Sequence, residues 1–185
     1  EGIVFMPSPV SHIHANSHAT LIGWLVCFQA GTPGVHVSDN GTVRLDLDNE
    51  PQPDAALFID PARGGQARLS QDGYIEGPPE LIAEVAASNV SIDLHAKFNV
   101  YRRNGVREYL VWRVRERAID WFVLRGSQYE RLEPDPQGLL RSQVFPGLWL
   151  DPTRLLAGEL ARVLQVLQQG LSSPEHAAFV ETLTR

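Results

Sequence analysis

The sequence predicts a mixed α/β domain built around one β-sheet. Segments whose apolar residues recur at helical spacing alternate along the chain with short apolar or alternating segments that are typical of strands. The chain has 185 residues, of which 43% are hydrophobic, which suits a single domain with one buried core. This alternation of element types favours helices packed against a single sheet.

The first half of the chain is predicted to hold a helix and three strands. The helix covers residues 16–30, where Leu21, Leu25 and Phe28 recur at helical spacing and Cys27 is expected in the core. The strands cover residues 35–37, 42–47 and 55–59, and the turn Asp39-Asn40-Gly41 is expected to join the first two as a hairpin.

The second half is predicted to add a buried strand, a helix, a β-meander and C-terminal helices. Trp24, Trp112, Trp121 and Trp149 are interpreted as core or interface residues rather than as platforms that stack on bases. The segments, in order, are a strand at 81–85, a helix at 91–103, strands at 108–114, 118–124 and 128–132, a further strand at 139–142, and helices at 152–169 and 174–183. We expect all of residues 1–185, including the C-terminal helices within 152–185, to form one domain.

Charge and cysteine content limit the function classes. Acids outnumber bases by 22 to 16, and the net charge of -6 argues against tight non-specific binding to nucleic acid. Residues 97–125 nevertheless carry 8 bases against 3 acids, which fits either a phosphate-binding patch or a solvated arginine-rich surface. The single Cys and the absence of a long apolar run predict a cytoplasmic protein that does not enter a membrane.

An acidic residue inside an apolar strand is the strongest chemical signal. Glu84 lies within Leu81-Ile82-Ala83-Glu84-Val85, and a buried carboxylate is costly unless it is paired or binds a metal. Asp54 stands at the entrance of the other buried strand. Two carboxylates at neighbouring strand ends are suitable ligands for one Mg²⁺ or Mn²⁺ ion, because hard cations prefer oxygen.

The basic residues contain one exception. Of the 16 bases, 15 are Arg and only Lys97 is Lys. A bias towards arginine codons explains the count, but a site that needs a compact and less strongly basic charge explains it too. Lys97 follows Asp93 by four residues on a predicted helix that comes directly after the Glu84 strand.

These motifs, in this order and spacing, resemble the Uma family of restriction-endonuclease-like proteins, a bacterial group within the PD-(D/E)xK nuclease superfamily. The resemblance covers nearly the whole chain and implies a mixed central sheet flanked by helices. It also implies that an N-terminal strand precedes Glu1. The motifs are Pro53-Asp54, Glu84-Val85-Ala86-Ala87-Ser88, Asp93-Leu94-His95-Ala96-Lys97, Tyr101, Gly105-Val106, Glu108-Tyr109 and Ser142-x-x-Phe145-Pro146-Gly147-Leu148.

The resemblance implies a role for each matching position. Asp54 and Glu84 match the two metal-binding acids, the carbonyl of Val85 is a further candidate ligand, and Lys97 matches the catalytic lysine. Ala86 departs from the superfamily pattern, which has its lysine at that position. His14, Ser88 and Asp93 match positions that support the site. The implied activity is a Mg²⁺- or Mn²⁺-dependent DNA endonuclease, expected to act as a homodimer because it cuts two strands.

Three alternatives stay open at this point. The chain fits a nuclease-fold interaction or regulatory module with little or no cleavage activity, which the negative net charge favours. It also fits a structural protein in which an arginine satisfies Glu84. The spacing of His12, His14 and His18 suits a zinc site, but no Cys or nearby acid in the sequence completes the ligand set.

Overall fold

A six-stranded sheet forms the centre of the structure, a computed structural model that describes residues 11–86 and 92–184. The strands, in chain order, are β1 Val35–Asp39, β2 Val43–Arg44, β3 Ala55–Ile59, β4 Arg68–Leu69, β5 Ile75–Glu76, β6 Leu81–Ala86, β7 Glu108–Arg113, β8 Ala118–Arg125, β9 Gln128–Arg131, β10 Leu140–Arg141 and β11 Trp149–Leu150. The α-helices are α1 His12–Gly31, α2 Phe98–Arg103, α3 Pro152–Leu156, α4 Leu160–Leu171 and α5 Pro174–Leu183.

The central sheet is mixed. Its strands are ordered β1-β3-β6-β7-β8-β9, and all neighbours are antiparallel except β6 and β7. A parallel pair needs a crossover connection. The described part of that crossover contains a π-helical turn, Ile92–Lys97, which runs directly into α2. The remaining strands form a small sheet, β2-β5-β4, and the pair β10-β11.

Helices cover both faces of the central sheet. On one face, Leu21 and Leu25 of α1 pack in one core cluster with Leu57 and Ala83, and α4 lies against α1. On the other face, Tyr101 of α2 packs among residues of the sheet in a second cluster. The predicted architecture, a mixed central sheet flanked by helices, is therefore confirmed.

Several elements agree closely with the sequence prediction, but the predicted hairpin is wrong. Strand β1 pairs with β3 in the central sheet, whereas β2 pairs with β5 in the small sheet. Val35 packs in the core cluster of α1, whereas Val43 is buried with Phe58 in a different cluster. Because β1 and β2 bury their side chains in different clusters, they do not pair with each other, despite the turn signal at Asp39-Asn40-Gly41.

The helical predictions need two corrections of extent. Helix α1 begins at His12 rather than at residue 16, because the Ser11 side chain caps it by accepting a hydrogen bond from the His14 N–H. The helix predicted over 152–169 is two helices, α3 and α4. They are separated at Gly158, which has φ +76°, a conformation that suits glycine and interrupts a helix.

Predictions about individual core residues had mixed outcomes. Trp24, Trp112 and Trp121 are buried, and Trp149 is half-buried, as expected for core residues. Cys27 was expected in the core and is exposed. Its position directly before the buried Phe28 turns it to the solvent side of α1, because neighbouring helical residues point in different directions.

A buried carboxylate attaches the segment after β10 to the sheet. Glu108, at the start of β7, accepts hydrogen bonds from the Ser142 hydroxyl at 2.8 Å and from the Trp121 indole at 3.2 Å. Its other oxygen accepts the N–H groups of Gln143 at 2.7 Å and Val144 at 3.2 Å. Burial raises the pKa of Glu108 to about 7, although these hydrogen bonds oppose the rise.

This raised pKa predicts a specific pH dependence of stability. Between pH 4.5 and pH 7 the folded protein holds a proton on Glu108 that the unfolded chain has released, so stability falls as pH rises. The contribution lost over this window is roughly 3 kcal/mol. Urea unfolding at a series of pH values measures it, and Glu108→Gln should remove this part of the slope.

Glu133→Gln is the matched control, since it makes the same change at an exposed glutamate. It should leave the pH dependence of the unfolding free energy as in the wild type. The same pH dependence of the unfolding free energy in the wild type, Glu108→Gln and Glu133→Gln would contradict the role assigned to Glu108.

Candidate active site

Two acidic residues face each other where strands β3 and β6 meet. The strands pair with Ala55 opposite Ala83, so Asp54, one residue before β3, lies opposite Glu84. The Asp54 carboxylate accepts the Val85 N–H at 2.6 Å, which fixes the side chain against the neighbouring strand. Local pairing of the two strands thus positions both acids at one place in the sheet.

Glu84 is buried, and α2 with its preceding turn supplies partners for it. The Glu84 side chain is 3% exposed, and its Oε2 atom lies 2.8 Å from the Lys97 ammonium. The Tyr101 hydroxyl donates to the other oxygen, Oε1, at 2.8 Å. Lys97 and Tyr101 are four residues apart and reach the same carboxylate from one side. A buried carboxylate requires such charge and hydrogen-bond partners.

Two histidines of α1 surround Asp54. The Nε2 atom of His14 lies 3.7 Å from Asp54 Oδ1. One turn later, the Nε2 atom of His18 lies 2.9 Å from the backbone carbonyl of Asp54 and 3.2 Å from the Asp39 carboxylate. The two imidazole rings are parallel, with centroids 6.2 Å apart. Helix α1 therefore links the end of β1 to the start of β3 at the site.

The structure brings together five of the residues that the sequence analysis singled out. These residues lie on α1, directly before β3, on β6 and at the end of the π-helical turn before α2; they are His14, Asp54, Glu84, Val85 and Lys97. Ser88 lies outside the described residues, as does the side chain of Asp93. The sequence analysis named two further residues without these roles: Tyr101 as a family motif residue, four residues from Lys97, and His18 as a possible zinc ligand, four residues from His14.

Two alternatives lose support from this geometry. The cation that the described residues bring to Glu84 is Lys97, not the arginine of the structural alternative. Within residues 11–86 and 92–184, no group of three or more His, Cys, Asp and Glu side chains has an arrangement suited to a metal ion. This disfavours the zinc set of His12, His14 and His18, and it means that an ion at Asp54 and Glu84 needs a ligand other than these side chains. His18 instead contacts Asp39 and the Asp54 carbonyl.

The basic residues of the segment 97–125 are only partly paired with acids: Arg102, Arg107 and Arg117 donate to neutral oxygens. Arg113 contacts both Asp120 and Glu116, and Arg125 lies 3.4 Å from Glu130. The acids offset the field of Arg113 and Arg125, whereas the arginines that donate to neutral oxygens keep their full charge, so the segment fits both interpretations that the sequence leaves open.

Comparison with known proteins identifies the family of this chain. A family model, Uma2, described as putative restriction endonuclease, matches residues 1–153. The chain belongs to this family. The match includes every residue of the candidate site and ends before α4, so α4 and α5 lie beyond it. The comparison with curated proteins found no match.

A solved structure has the same fold. It is that of a putative nuclease belonging to DUF820 from Anabaena variabilis, and it superposes with a TM-score of 0.65 at 14% sequence identity. The likeness covers 85% of this chain and 87% of that one. The Uma2 chain thus has a nuclease-like fold. Among the described helices, none is long and apolar enough to cross a membrane.

The pairing of Glu84 with Tyr101 predicts a stability effect. We expect Tyr101→Phe to lower the free energy of unfolding by about 1–3 kcal/mol, because it removes a hydrogen-bond donor from a buried carboxylate. Thermal and urea unfolding followed by circular dichroism measure this change. Tyr74→Phe, at a tyrosine that is 41% exposed, is the control and should have little effect. A Tyr101→Phe protein as stable as the control would contradict the assignment.

Proposed function

We propose that this Uma2-family chain is a metal-dependent phosphodiester hydrolase that acts on DNA as an endonuclease. The observation that carries the proposal is the facing pair Asp54 and Glu84, with the Lys97 ammonium 2.8 Å from Glu84. In this proposal the two acids hold Mg²⁺ or Mn²⁺, and Lys97 stabilises the negative charge that develops on the phosphate.

The donor set suits a hard divalent cation. Asp54 and Glu84 offer carboxylate oxygens from adjacent strands, and the carbonyl of Val85 is the candidate third ligand; all three are oxygen donors. Asp54 retains acceptor capacity, because a carboxylate has about four lone-pair sites and Val85 uses one of them. A bound ion would screen the charge of the phosphate and favour deprotonation of the attacking water.

The surrounding residues have positioning roles in this proposal. The buried Tyr101 hydroxyl fixes one Glu84 oxygen, and His18 fixes the main chain at Asp54. His14, 3.7 Å from Asp54 Oδ1, orients that carboxylate. Ser88 and Asp93 keep the supporting roles that the family resemblance implies. The homodimer and the bacterial cytoplasm also remain part of the proposal.

A second candidate is a nuclease-fold interaction module without cleavage activity. Two observations favour it: the net charge of -6, and the internal pairing of arginines such as Arg113 and Arg125 with acids. Both features weaken the attraction of the protein for a polyanion. The Lys97–Glu84–Asp54 arrangement favours the enzyme, because a pure docking surface has no need for a buried acid beside a lysine.

Cleavage assays distinguish the candidates. Plasmid and single-stranded DNA are incubated with purified protein and Mg²⁺ or Mn²⁺, and products are followed on gels. We expect the wild type to cleave, and Asp54→Asn, Glu84→Gln and Lys97→Arg each to lower the rate by about 100-fold or more. Lys97→Arg keeps the charge but changes its shape and acidity.

Matched controls change the same chemistry outside the site. They are Asp48→Asn, Glu133→Gln and Arg103→Lys, all at exposed positions, with Arg103 on α2 near Lys97. Each should cleave at the wild-type rate, and circular dichroism confirms that every variant is folded. Cleavage that survives Glu84→Gln and Lys97→Arg would point to another site or a contaminating enzyme. A wild type without cleavage would favour the interaction module.

A further inference from the structure

The pairing of Glu84 has a consequence for how a cation reaches the site. Both oxygens of this carboxylate have a donor at 2.8 Å, the Lys97 ammonium on Oε2 and the Tyr101 hydroxyl on Oε1. A divalent ion ligated by Glu84 would lie within a few ångströms of the ammonium. Two positive charges that share one carboxylate oxygen in a partly desolvated site repel strongly.

The two partners of Glu84 differ in how easily their side chains can move away from the carboxylate. The Tyr101 side chain is fully buried, and its ring packs against Tyr109 with centroids 5.1 Å apart. The Lys97 side chain is 29% exposed and ends a flexible four-carbon stem. Tyr101 is also neutral, so it does not repel a cation. Lys97 is therefore the partner that would move.

We infer that Lys97 is the resting counter-cation of Glu84 and that a divalent ion exchanges with it. The inference rests on the proposed function and extends it to the regulation of the same site. Exchange couples two events: Glu84 gains the ion, and the ammonium is released toward the phosphate. The coupling is reciprocal, so a lysine that pairs with Glu84 must weaken ion binding by the same factor as the ion weakens the pair.

Asp54 provides the entry point in this exchange. No Lys or Arg pairs with its carboxylate among the described residues, and the His14 imidazole lies 3.7 Å from that carboxylate. An ion can therefore contact Asp54 first and reach Glu84 as Lys97 withdraws. The two carboxylates are thus unequal. The Asp54 carboxylate faces the His14 imidazole, whereas the Glu84 carboxylate directly contacts the Lys97 ammonium.

Isothermal titration calorimetry with MnCl₂ tests the exchange without reference to cleavage. We expect Lys97→Met to bind Mn²⁺ about 10-fold more tightly than the wild type, because the competing charge is gone. Glu84→Gln should bind more weakly than the wild type. Arg103→Met, which removes a positive charge from an exposed position on α2, is the control and should bind as the wild type does.

A second measurement keeps the lysine and its positive charge in place. Reductive ¹³C-methylation labels Lys97 and the N-terminal amine alone, because the chain has a single lysine, and the label keeps the positive charge. On titration with Mg²⁺, the Lys97 resonance should move toward its position in metal-free Glu84→Gln.

The outcomes distinguish failure of the Lys97 exchange from failure of the proposed metal-dependent function on which it rests. Equal Mn²⁺ affinities of wild type and Lys97→Met, with weaker binding by Glu84→Gln, would overturn the exchange and leave the metal site standing. A Lys97 resonance unmoved at Mg²⁺ concentrations that saturate the calorimetric signal would overturn it likewise. Absence of binding in every variant would overturn both the exchange and the proposed metal dependence.

Discussion

The structure around the site depends on neutralising one carboxylate inside an apolar sheet. Glu84 lies in the middle of β6, between strands that pair with it on both sides. An unpaired charge there would cost several kcal/mol. Lys97 and Tyr101 remove this cost only if the turn before α2 and α2 itself lie against the sheet. The parallel crossover from β6 to β7 is therefore tied to the chemistry of one side chain.

Three buried glutamates in this fold illustrate how environment separates structural from reactive acids. Glu80 accepts the backbone N–H groups of Ile59 and Gln66, and Glu108 accepts four hydrogen bonds, two of them from backbone. The donors to both carboxylates are neutral groups, and these hydrogen bonds fix the chain around each glutamate. Among the residues that the structure describes, a cationic side chain contacts Glu84 but neither of the other two, and this side chain, Lys97, is partly exposed. A carboxylate paired with a partly exposed side chain can exchange that partner more readily than one fixed by buried backbone amides.

The sequence predicted the elements whose signal is local. The apolar segments at β3 and β6, the meander β7-β8-β9 and the helix α5 have patterns that neighbouring residues determine. It failed where distant packing decides, as in the pairing of β1 with β3 instead of β2. Long-range burial is not encoded in any short window, so a strong turn at Asn40 was mistaken for a hairpin.

The residues of the candidate site show the same contrast between local sequence signals and long-range packing. Glu84 was found because an acid in an apolar strand is conspicuous, whereas the buried Glu80 and Glu108 stand at or beside strand starts, where acids are ordinary. The partners of Glu84 were harder to predict, because the turn that carries Lys97 is not a regular α-helix. The chain forms a π-helical turn over Ile92–Lys97, and such a turn changes which residues share a face.

The geometry also explains why the one lysine stands where it does. The Lys97 ammonium is a point charge that lies 2.8 Å from Oε2 of Glu84, and the Tyr101 hydroxyl donates to Oε1 at 2.8 Å. An arginine would present a planar fork that engages both oxygens of a carboxylate together. That fork would compete with the buried hydroxyl for Oε1. A bias towards arginine accounts for the other 15 basic residues, but at this position the shape of the Glu84 pocket favours lysine.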